Sequence, residues 1–469
     1  MGCDQAGVRI QVTADVDLDP SCTYTAGLDV RASGVTLDCK GAWISSSVRS
    51  GYGIGIRTPA DVDLHDVTVR NCNVRGFMNA IRVTRDGFKG LPTDHEYDHG
   101  TARIAIEDGE LTGSAGVGIY VDAYVTDVAI RHMDVHDAGS TGVYLETGSR
   151  RNLVESNSFT HNGYAENGEA GQPTDVGGTT VWFWGIGREG VAVDGSYDNV
   201  IRGNDFSRNS AGGVFLYKNC GEYKDDPSWI PRRWGADRNT IEGNHFDHEW
   251  VGVWVASRMG ENILPMDCSD PAYLTKPGAR YVLDVARDNV VAGNDFAEVE
   301  YGVRVEDDRT TVSGNSFTST TRGFHAIYVG TPYRTTVLGR PVSGTRLVGN
   351  RATLAGNASP YRWSTGQAAT TASGNTALGA PAGICQGPPI PRGPFVFTLA
   401  VALPGPGGTA PPRPAITWPQ VGELAPCARS TTTTTAQGQA GGTSTSAPGA
   451  GGGTAPAATP VAGDAAYAG

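Results

Sequence analysis

Short runs of alternating apolar and polar residues recur along the middle of the chain. Each begins with a small residue, usually glycine, and places apolar residues at every second position, as in Gly142-Val143-Tyr144-Leu145. A period of two is that of a β-strand, whereas the period of an amphipathic helix is missing. The pattern therefore predicts β-strands at 118–121, 142–145, 190–193, 213–216, 252–255, 302–305 and 326–329.

A second signature, an asparagine followed two residues later by phenylalanine, comes after most of these strands, at 157–159, 204–206, 244–246, 294–296 and 315–317. The strands recur roughly every 23 residues, with insertions or double steps. A repeat of this length, made of short strands and Gly/Asn turns, predicts an all-β parallel β-helix with one coil per repeat. Apolar residues two apart would then point inward, and the turn asparagines would stack on those of the next coil.

The opening of the chain carries similar strands and turns, among them Ala14-Asp15-Val16-Asp17-Leu18, Gly34-Val35-Thr36-Leu37-Asp38-Cys39 and Val67-Thr68-Val69-Arg70-Asn71-Cys72. These segments resemble the first coils of the right-handed parallel β-helix proteins of the pectate-lyase-like superfamily. With the later Asn-x-Phe turns, the resemblance covers about residues 3–376 and implies a right-handed parallel β-helix with long loop insertions. The superfamily includes lyases, hydrolases, epimerases, tailspikes and non-enzymatic members, so the fold alone does not choose an activity.

Two activities of that superfamily have recognisable motifs. The Asn-Thr-Asp, Gly-His-Gly and Arg-Ile-Lys triplets of polygalacturonases and the Asp-Pro-His-Asp motif of mannuronan epimerases do not occur in this sequence. Their absence argues against both assignments.

Composition divides the chain into three parts. Glycine, 65 of 469 residues, has about twice its usual share, as expected for a turn-rich β protein. We assign the β-helix to residues 1–378 and a Pro-rich appendage to 379–427. The segment 428–469 is almost entirely Ser, Thr, Gly, Ala and Pro, which cannot bury enough apolar surface to offset its ordering entropy, and is predicted to be a disordered tail.

Charge and cysteine content limit the partners and the compartment. The formal net charge of −12 argues against nucleic acid as a partner, and no apolar run is long enough to span a membrane. An even number of cysteines favours an oxidising compartment, so we expect a secreted or cell-surface monomer whose signal segment has been removed. The pairs suggested by position are Cys3–Cys22, Cys39–Cys72, Cys220–Cys268 and Cys385–Cys427.

The alternation also predicts what faces outward. If Val143 and Leu145 point inward, their neighbours point to solvent. This gives one row of Tyr120, Tyr144, Ala192, Phe215, Trp254, Arg304 and Tyr328, and a second of Asp122, Glu146, Asp194, Tyr217, Ala256 and Glu306. Because aromatic rings stack on sugars and carboxylates bind hydroxyls, the rows predict an exposed groove for a linear polysaccharide. The alternative is that the aromatics only favour strand packing.

Long insertions beside these rows carry further candidate residues, and loops on a rigid scaffold are where binding usually occurs. The expected sugar contacts are Tyr120, Tyr144, Trp182, Trp184, Phe215, Tyr217, Arg233, Trp234 and Trp254. A disulfide-stabilised surface flap is the alternative role for these insertions.

Two reactions fit these side chains. In a lyase a base removes the proton next to a uronate carboxylate while a cation neutralises that carboxylate. Lys218 is the candidate base, Arg238 or Arg258 the candidate cation, and Asp122, Glu146 and Asp194 are candidate ligands for Ca²⁺. A glycoside hydrolase would instead use two carboxylates chosen among Glu146, Glu189, Asp194 and Glu222.

We therefore expect cleavage of an extracellular, uronate-containing polysaccharide by β-elimination. A glycoside hydrolase and a non-catalytic glycan-binding solenoid are the alternatives.

Overall fold

The structure is a computed structural model. It describes residues 1–386 except 93, 165–171, 177–178, 184–186, 219–231, 256–273, 277–278, 282–284, 332–333, 336–337, 357–359, 365–368 and 381–383. The appendage and tail predicted at 379–427 and 428–469 therefore lie almost wholly outside the described residues and remain predictions. No helix in the described part is long and apolar enough to cross a membrane.

The described strands wind into a parallel β-helix, because each strand pairs in parallel with the equivalent strand one coil later. The first sheet, called sheet 1 below, consists of β1 (Ile10–Val12), β4 (Leu28–Val30), β7 (Tyr52–Pro59), β10 (Asn79–Asp86), β12 (Ile119–Val121), β14 (Val143–Leu145), β19 (Glu189–Asp194), β22 (Gly212–Tyr217), β25 (Val251–Val255), β30 (Tyr301–Val305), β33 (His325–Val329), β36 (Tyr361–Trp363) and β39 (Cys385–Gln386). Since β39 pairs with β36, the sheet continues past residue 378.

The other wall of each coil contains two further rows of strands. The first row is β2 (Val16–Asp17), β5 (Thr36–Asp38), β8 (Leu64–Arg70), β11 (Thr101–Thr112), β13 (Thr126–His136), β15 (Leu153–Glu155), β20 (Val200–Arg202), β23 (Thr240–Glu242), β28 (Val290–Ala292), β31 (Thr311–Ser313), β34 (Ser343–Val348) and β37 (Ala369–Ser373). The second row is β3 (Thr23–Tyr24), β6 (Trp43–Ser45), β9 (Asn73–Arg75), β16 (Ser158–Thr160), β21 (Asp205–Ser207), β24 (His245–Asp247), β29 (Asp295–Ala297), β32 (Ser316–Ser319), β35 (Arg351–Leu354) and β38 (Thr376–Ala377). The long strands β11 and β13 pair with both rows.

Four strands lie outside the coils as two antiparallel hairpins, β17 (Gln172–Val176) with β18 (Thr179–Phe183) and β26 (Leu274–Lys276) with β27 (Ala279–Tyr281). Two short 3₁₀ helices span Cys3–Gln5 and Phe88–Gly90. The nearly all-β architecture confirms the predicted fold class.

The interior is filled by columns of β-branched residues and leucines. In sheet 1, Val143 is opposed by Ile119 on one side and Val191 on the other, and all three are fully buried. Val121, Leu145 and Val193 form a second such column. These are the positions predicted to point inward. β-branched side chains suit them because their restricted χ1 packs well on a pleated surface.

Stacked asparagines mark one corner of the solenoid and confirm the predicted turn stacking. Each amide nitrogen donates to the side-chain oxygen of the next coil, as from Asn204 to Asn244 at 2.9 Å, and to a backbone carbonyl, as from Asn244 to Ile201. We call this column the asparagine ladder: Asn157, Asn204, Asn244, Asn294, Asn315, Asn350 and Asn375. It satisfies polar backbone groups that the turn would otherwise bury unpaired.

The phenylalanines that follow this ladder point inward and stack. Phe206 and Phe246 have ring centroids 4.9 Å apart, and Phe296 continues the stack at 4.8 Å. Such spacing is that of adjacent strands, so one ring per coil fills the interior without a gap.

Two disulfides are present at the N-terminal end, Cys3–Cys22 and Cys39–Cys72. Both confirm pairs predicted from position. The predicted pairs Cys220–Cys268 and Cys385–Cys427 involve side chains outside the described residues.

Candidate functional site

The outer face of sheet 1 carries a column of non-identical side chains in strict register. Tyr120, Tyr144 and Ala192 oppose one another on successive coils, followed by Phe215 and the remaining predicted members. With one residue added at each end, this outward column reads Arg82, Tyr120, Tyr144, Ala192, Phe215, Trp254, Arg304, Tyr328 and Arg362. The predicted winding register is therefore confirmed.

The predicted exposure of this column is wrong. Phe215 is 0% exposed, Trp254 2% and Tyr144 7%. The rings pack against one another, with Tyr120 stacked on Tyr144 at 5.1 Å, and they join apolar neighbours in a cluster separate from the interior. Because apolar area removed from water is stabilising wherever it lies, these large side chains form a second core on the outside of the sheet. In the described part of the chain these rings therefore do not line an open groove.

Charged groups lie among these rings, and the first is Asp122, whose carboxylate is 2% exposed. It accepts two hydrogen bonds from the Arg82 guanidinium on the preceding coil, at 2.7 and 3.1 Å. Burial raises the pKa of the Asp122 carboxyl above its usual range, and Arg82 opposes this effect only in part. The Asp122 carboxyl therefore holds a proton more tightly than usual.

Glu146 occupies the equivalent position one coil later. Its carboxylate accepts a hydrogen bond from the Tyr120 hydroxyl at 2.6 Å and from the Thr147 backbone amide, and it pairs with the Arg232 guanidinium. Burial alone would raise the pKa of Glu146, but Arg232 and these hydrogen bonds outweigh it and lower the pKa. Glu146 and Asp122 thus sit on adjacent coils with pKa values shifted in opposite directions.

Asp194 continues the row on the next coil and is fully buried. The Tyr144 hydroxyl donates to its Oδ2 at 2.5 Å, and the same Nη1 of Arg232 that contacts Glu146 lies 3.5 Å from this oxygen. Burial, and next the nearby Asp194 carboxylate, raise the pKa of Tyr144 well above its usual value. The phenol therefore remains neutral and donates to the carboxylate.

A fourth carboxylate, Glu189, completes the group at the start of β19. It accepts a hydrogen bond from the Tyr217 hydroxyl at 2.8 Å and pairs with Arg188, which itself donates to Tyr217. Arg188 also lies over the Tyr144 ring, 5.7 Å from its centroid. We call the whole set the tyrosine–carboxylate network: Asp122, Glu146, Asp194, Glu189, Tyr120, Tyr144, Tyr217, Arg82, Arg188 and Arg232.

Other predicted site residues lie elsewhere. Arg238 is exposed and pairs with Asp198 at 2.7 Å, in the connection before β23. Lys218 follows Tyr217 just after the end of β22 and is buried. Both residues lie outside a strand, where the alternation no longer fixes the direction of a side chain.

Arg233 and Trp234 lie at one side of the network rather than along the row. Arg233 is 3.2 Å from a carboxylate oxygen of Glu96, and Trp234 stacks on Tyr197 at 5.2 Å. The predicted residues Trp184, Glu222 and Arg258 and the side chain of Trp182 lie outside the described residues.

The predicted calcium ligands are held by other partners. Within the described part of the chain, Asp122, Glu146 and Asp194 do not form a group whose ligand atoms lie within 4.8 Å of one another. Guanidinium groups of Arg82 and Arg232 contact them instead. A calcium site at these three carboxylates remains a prediction.

A cavity of about 210 Å³ adjoins the Asp122 end of the network. Its wall includes Arg82 and Thr84, the two side chains that bond Asp122. The side chains of Arg82 and Thr84 therefore separate the cavity from the Asp122 carboxyl, whose pKa is raised.

Sequence reasoning missed Arg82 and Arg232. Arg82 could have been found, because Ile81-Arg82-Val83 continues the apolar–x–apolar pattern one coil toward the N-terminus. Arg232 gave no such signal, since it belongs to the connection between β22 and β23, where no periodicity applies.

Comparison with known proteins agrees with the architecture. The model of the family described as the right handed beta helix region matches residues 2–264. Curated proteins give no match to this sequence. The chain is similar in structure to the A-module of a mannuronan C-5 epimerase from Azotobacter vinelandii, with 13% identity, 84% of this chain and 92% of that chain covered, and a TM-score of 0.45.

Two further solved structures are similar at comparable levels. One is an alginate lyase from a Paenibacillus species, with 13% identity, 81% and 98% of the two chains covered, and a TM-score of 0.37. The other is the catalytic domain of a GH87 alpha-1,3-glucanase, with 12% identity, 79% and 62% covered, and a TM-score of 0.44. At these identities the likeness is one of fold. Since the family model covers more than half of the chain, and equivalent strands pair in parallel from coil to coil, this protein belongs to the right handed beta helix region family.

Proposed function

We propose that this protein is a polysaccharide-cleaving enzyme and that Asp122 and Glu146 are its two catalytic carboxyls. The observation that carries the proposal is the tyrosine–carboxylate network: charged groups on successive coils, bonded to one another, on the outside of a solenoid. Burying such groups is costly, and the apolar interior already stacks the coils. The network therefore needs a reason other than stability.

The geometry of the pair fits glycoside hydrolysis. Asp122 and Glu146 follow Val121 and Leu145, which are directly paired on adjacent strands. Opposed positions on adjacent strands are about 4.8 Å apart, so the two side chains start from neighbouring coils, and retention would require their carboxyl groups to lie roughly 5–5.5 Å apart. Two carboxyls whose environments push their pKa values apart are also typical of an acid and its ionised partner.

The roles follow from the pKa directions. Asp122, whose pKa is raised, would protonate the leaving glycosidic oxygen, while the Glu146 carboxylate attacks the anomeric carbon. Tyr120 and Arg232 would hold that carboxylate in place. Water would then release the sugar, with Asp122 now acting as base, so the anomeric configuration is retained.

β-Elimination is the second candidate, and the arginine-lined cavity favours it. Arg82, at the wall of that cavity, is placed where a cation could neutralise the carboxylate of a bound uronate. Lys218 as base remains a prediction of the sequence, as do secretion and the monomeric state.

Product analysis tests the proposal. The full chain is incubated with polygalacturonate, alginate, xylan and a mixed-linkage glucan, and new reducing ends, the ultraviolet absorbance of unsaturated uronates and the anomeric configuration of the first product are measured. Hydrolysis with retention gives reducing ends without new absorbance, and Asp122→Asn should abolish them. If the absorbance of unsaturated uronates rises together with the reducing ends, the reaction is elimination rather than hydrolysis. If the anomeric configuration of the first product is inverted, the two-step mechanism is wrong. A chain that binds these polymers without cutting them would contradict an enzymatic function.

A further inference from the structure

A five-residue pattern repeats along the first row of strands on the other wall. It begins and ends with opposite charges, as in Asp66-Val67-Thr68-Val69-Arg70. The order of the charges is reversed in the next coil, Arg103-Ile104-Ala105-Ile106-Glu107, and reverses again at each coil that follows. We call this surface the chequered face, and the charged ends of its six successive coils are Asp66/Arg70, Arg103/Glu107, Asp127/Arg131, Arg151/Glu155, Asp198/Arg202 and Arg238/Glu242.

The two ends of the pattern form two columns of alternating charge along the solenoid. Strand pairing places Arg131 between Glu107 and Glu155, and its guanidinium lies 2.9 and 3.2 Å from their carboxylates. In the other column Arg151 donates to both oxygens of Asp127, at 2.8 and 2.7 Å. Like charges on adjacent strands would repel, so the stacking of coils explains why the sign alternates along each column.

Stacking does not explain the phase of the two columns. Four residues of extended strand span roughly 13 Å, which exceeds the screening length of about 8 Å at physiological ionic strength. The sign at one end of a coil is therefore nearly independent of the sign at the other end. Columns in phase, with two acids on one coil and two bases on the next, would form the same ion pairs along each column. The observed phase instead gives every coil of the face one charge of each sign.

This phase makes the chequered face complementary to itself. If a second copy faces the first across a two-fold axis parallel to the solenoid, each acidic end lies opposite the basic end of the same coil, so that Glu155 meets the partner subunit's Arg151. Columns in phase would bring like charges together there. Arg151 uses its Nε and Nη2 on Asp127, and a guanidinium has five N–H groups, so it retains donors for a partner.

The rest of the face also suits close approach of a second copy. Its charges sum to zero, six acidic and six basic ends, in a chain whose formal net charge is −12, so repulsion between copies is smallest here. Between the charged columns lie small or apolar side chains, all half-buried: Thr68, Ala105, Ala129, Leu153, Val200 and Thr240.

The size of the wall sets the strength of the contact. At about 4.8 Å per coil, the first row of strands is roughly 50 Å long, and a five-residue strand is roughly 16 Å wide. Such a wall offers about 800 Å² to a partner, the usual contribution of one subunit to a stable interface. The six chequered coils supply about half of that length, so we expect a weak interaction.

We propose that the chequered face is the interface of a weak, parallel homodimer of this protein. The dimer replaces the monomer expected from the sequence. The inference does not depend on the proposed function, because the tyrosine–carboxylate network belongs to sheet 1 and the chequered face to the other wall.

Sedimentation velocity of the full chain, from micromolar to submillimolar concentration, tests the dimer. We expect concentration-dependent association whose constant falls at least tenfold between about 0.1 and 1 M salt, because the screening length falls from about 10 to 3 Å. A chain that stays monomeric at every concentration, or a dimer whose association constant does not fall with salt, would overturn the proposal.

A pair of charge reversals locates the contact. Glu155→Arg gives its coil two bases and Arg151→Glu gives it two acids, so each variant alone should associate at least tenfold more weakly than the unsubstituted chain. In an equimolar mixture the two variants oppose opposite charges again, and the association should return to within threefold of the original. A mixture that associates no better than either variant alone would exclude this face as the interface.

A neutral position on the same coil provides a test that leaves every ion pair in place. Leu153→Arg puts a long charged side chain at the centre of the face and should weaken association tenfold or more. Thr160→Arg is the matched control, since Thr160 is also half-buried and lies on the same coil but in the second row of strands, and it should change nothing. Melting temperatures show that both variants fold. Equal effects of the two substitutions would contradict the proposed interface.

Discussion

Two columns of side chains run along the same solenoid, yet they are built on different rules. The asparagine ladder repeats a single residue, and each amide bonds the next at 2.9–3.0 Å. The outward column of sheet 1 has the same spacing but carries arginine, tyrosine, alanine, phenylalanine and tryptophan in turn. An amide side chain is both a hydrogen-bond donor and an acceptor, so the same residue can bond its equivalent in each successive coil. The ladder therefore shows what the stacking of coils requires.

The difference teaches where to look for function in a repeat protein. A column that only stacks coils can keep one residue type, because each coil meets the same demand. The outward column changes residue at nearly every coil and brings four carboxylates and three arginines into its neighbourhood. Stability does not explain this, since buried ion pairs are often no better than apolar side chains.

The largest expected effect lies in the network. Glu146→Gln removes the proposed nucleophile and should lower kcat on the cleaved polysaccharide by roughly 10⁴-fold or more, as expected when the nucleophile of a covalent mechanism is lost. Glu306→Gln is the matched control, because it also leaves a buried arginine, Arg304, without its carboxylate, outside the network. Equal losses of activity in both variants would mean that the network is structural.

Breaking the ladder should affect stability instead. Asn244→Ala removes the acceptor of the Asn204 amide and the donor to the Ile201 carbonyl. At about 1–3 kcal/mol for each buried group left unpaired, we expect urea unfolding to show a loss of about 3 kcal/mol or more. The Michaelis constant and kcat well below the transition should not change. Asn375→Ala, at the half-buried end of the ladder, should cost less; an equal cost would show that the ladder is not cooperative along its length.

A carboxyl that ends a separate stack of amides, Asn162 and Asn209, gives a pH-dependent test. Glu249 Oε1 accepts from the Asn209 backbone and side-chain N–H groups, while its Oε2 is buried without a partner. Burial raises the pKa of Glu249 well above its usual value. Its stabilising contribution is therefore full below the unfolded pKa of about 4.3 and is lost as pH rises toward the folded pKa. Near pH 8, Glu249→Gln should raise the free energy of unfolding by about 1–2 kcal/mol and so raise the melting temperature. Near pH 4 the substitution should have little effect.

The control for that test has the opposite sign. Glu298 accepts hydrogen bonds from the Thr320 amide and from three hydroxyls, which lower its pKa to about 2. Its stabilisation is present above pH 4.3 or so and is lost as pH falls toward 2. Glu298→Gln should therefore destabilise the protein at neutral pH. A gain in both variants would contradict the assignment of Glu249 as a proton-binding member of its stack.

The smallest effect is expected at Arg238. Its ion pair with Asp198 is half exposed, and such pairs contribute about 0–1 kcal/mol. Arg238→Gln should shift the melting temperature by a degree or two at most and leave kcat unchanged. A large loss of activity would instead support the role predicted from the sequence, in which Arg238 neutralises the substrate carboxylate.

The winding of the coils follows from the amino-acid pattern alone. A period of two with one repeat per coil places Val143 inward and Tyr144 outward, and it predicts the stacked asparagines and the pairs Cys3–Cys22 and Cys39–Cys72. These features are local or repeat from coil to coil, so short-range chemistry is enough to set them.

The contacts between outward groups, and their access to water, become known only from the folded chain. It buries Phe215 and Trp254, brings Arg232 from a connection without periodicity onto Glu146 and Asp194, and leaves Arg85 in the wall of a cavity. A repeat pattern states the direction in which a side chain points. What lies against that side chain depends on insertions that do not repeat, and these set its exposure, its partners and its pKa.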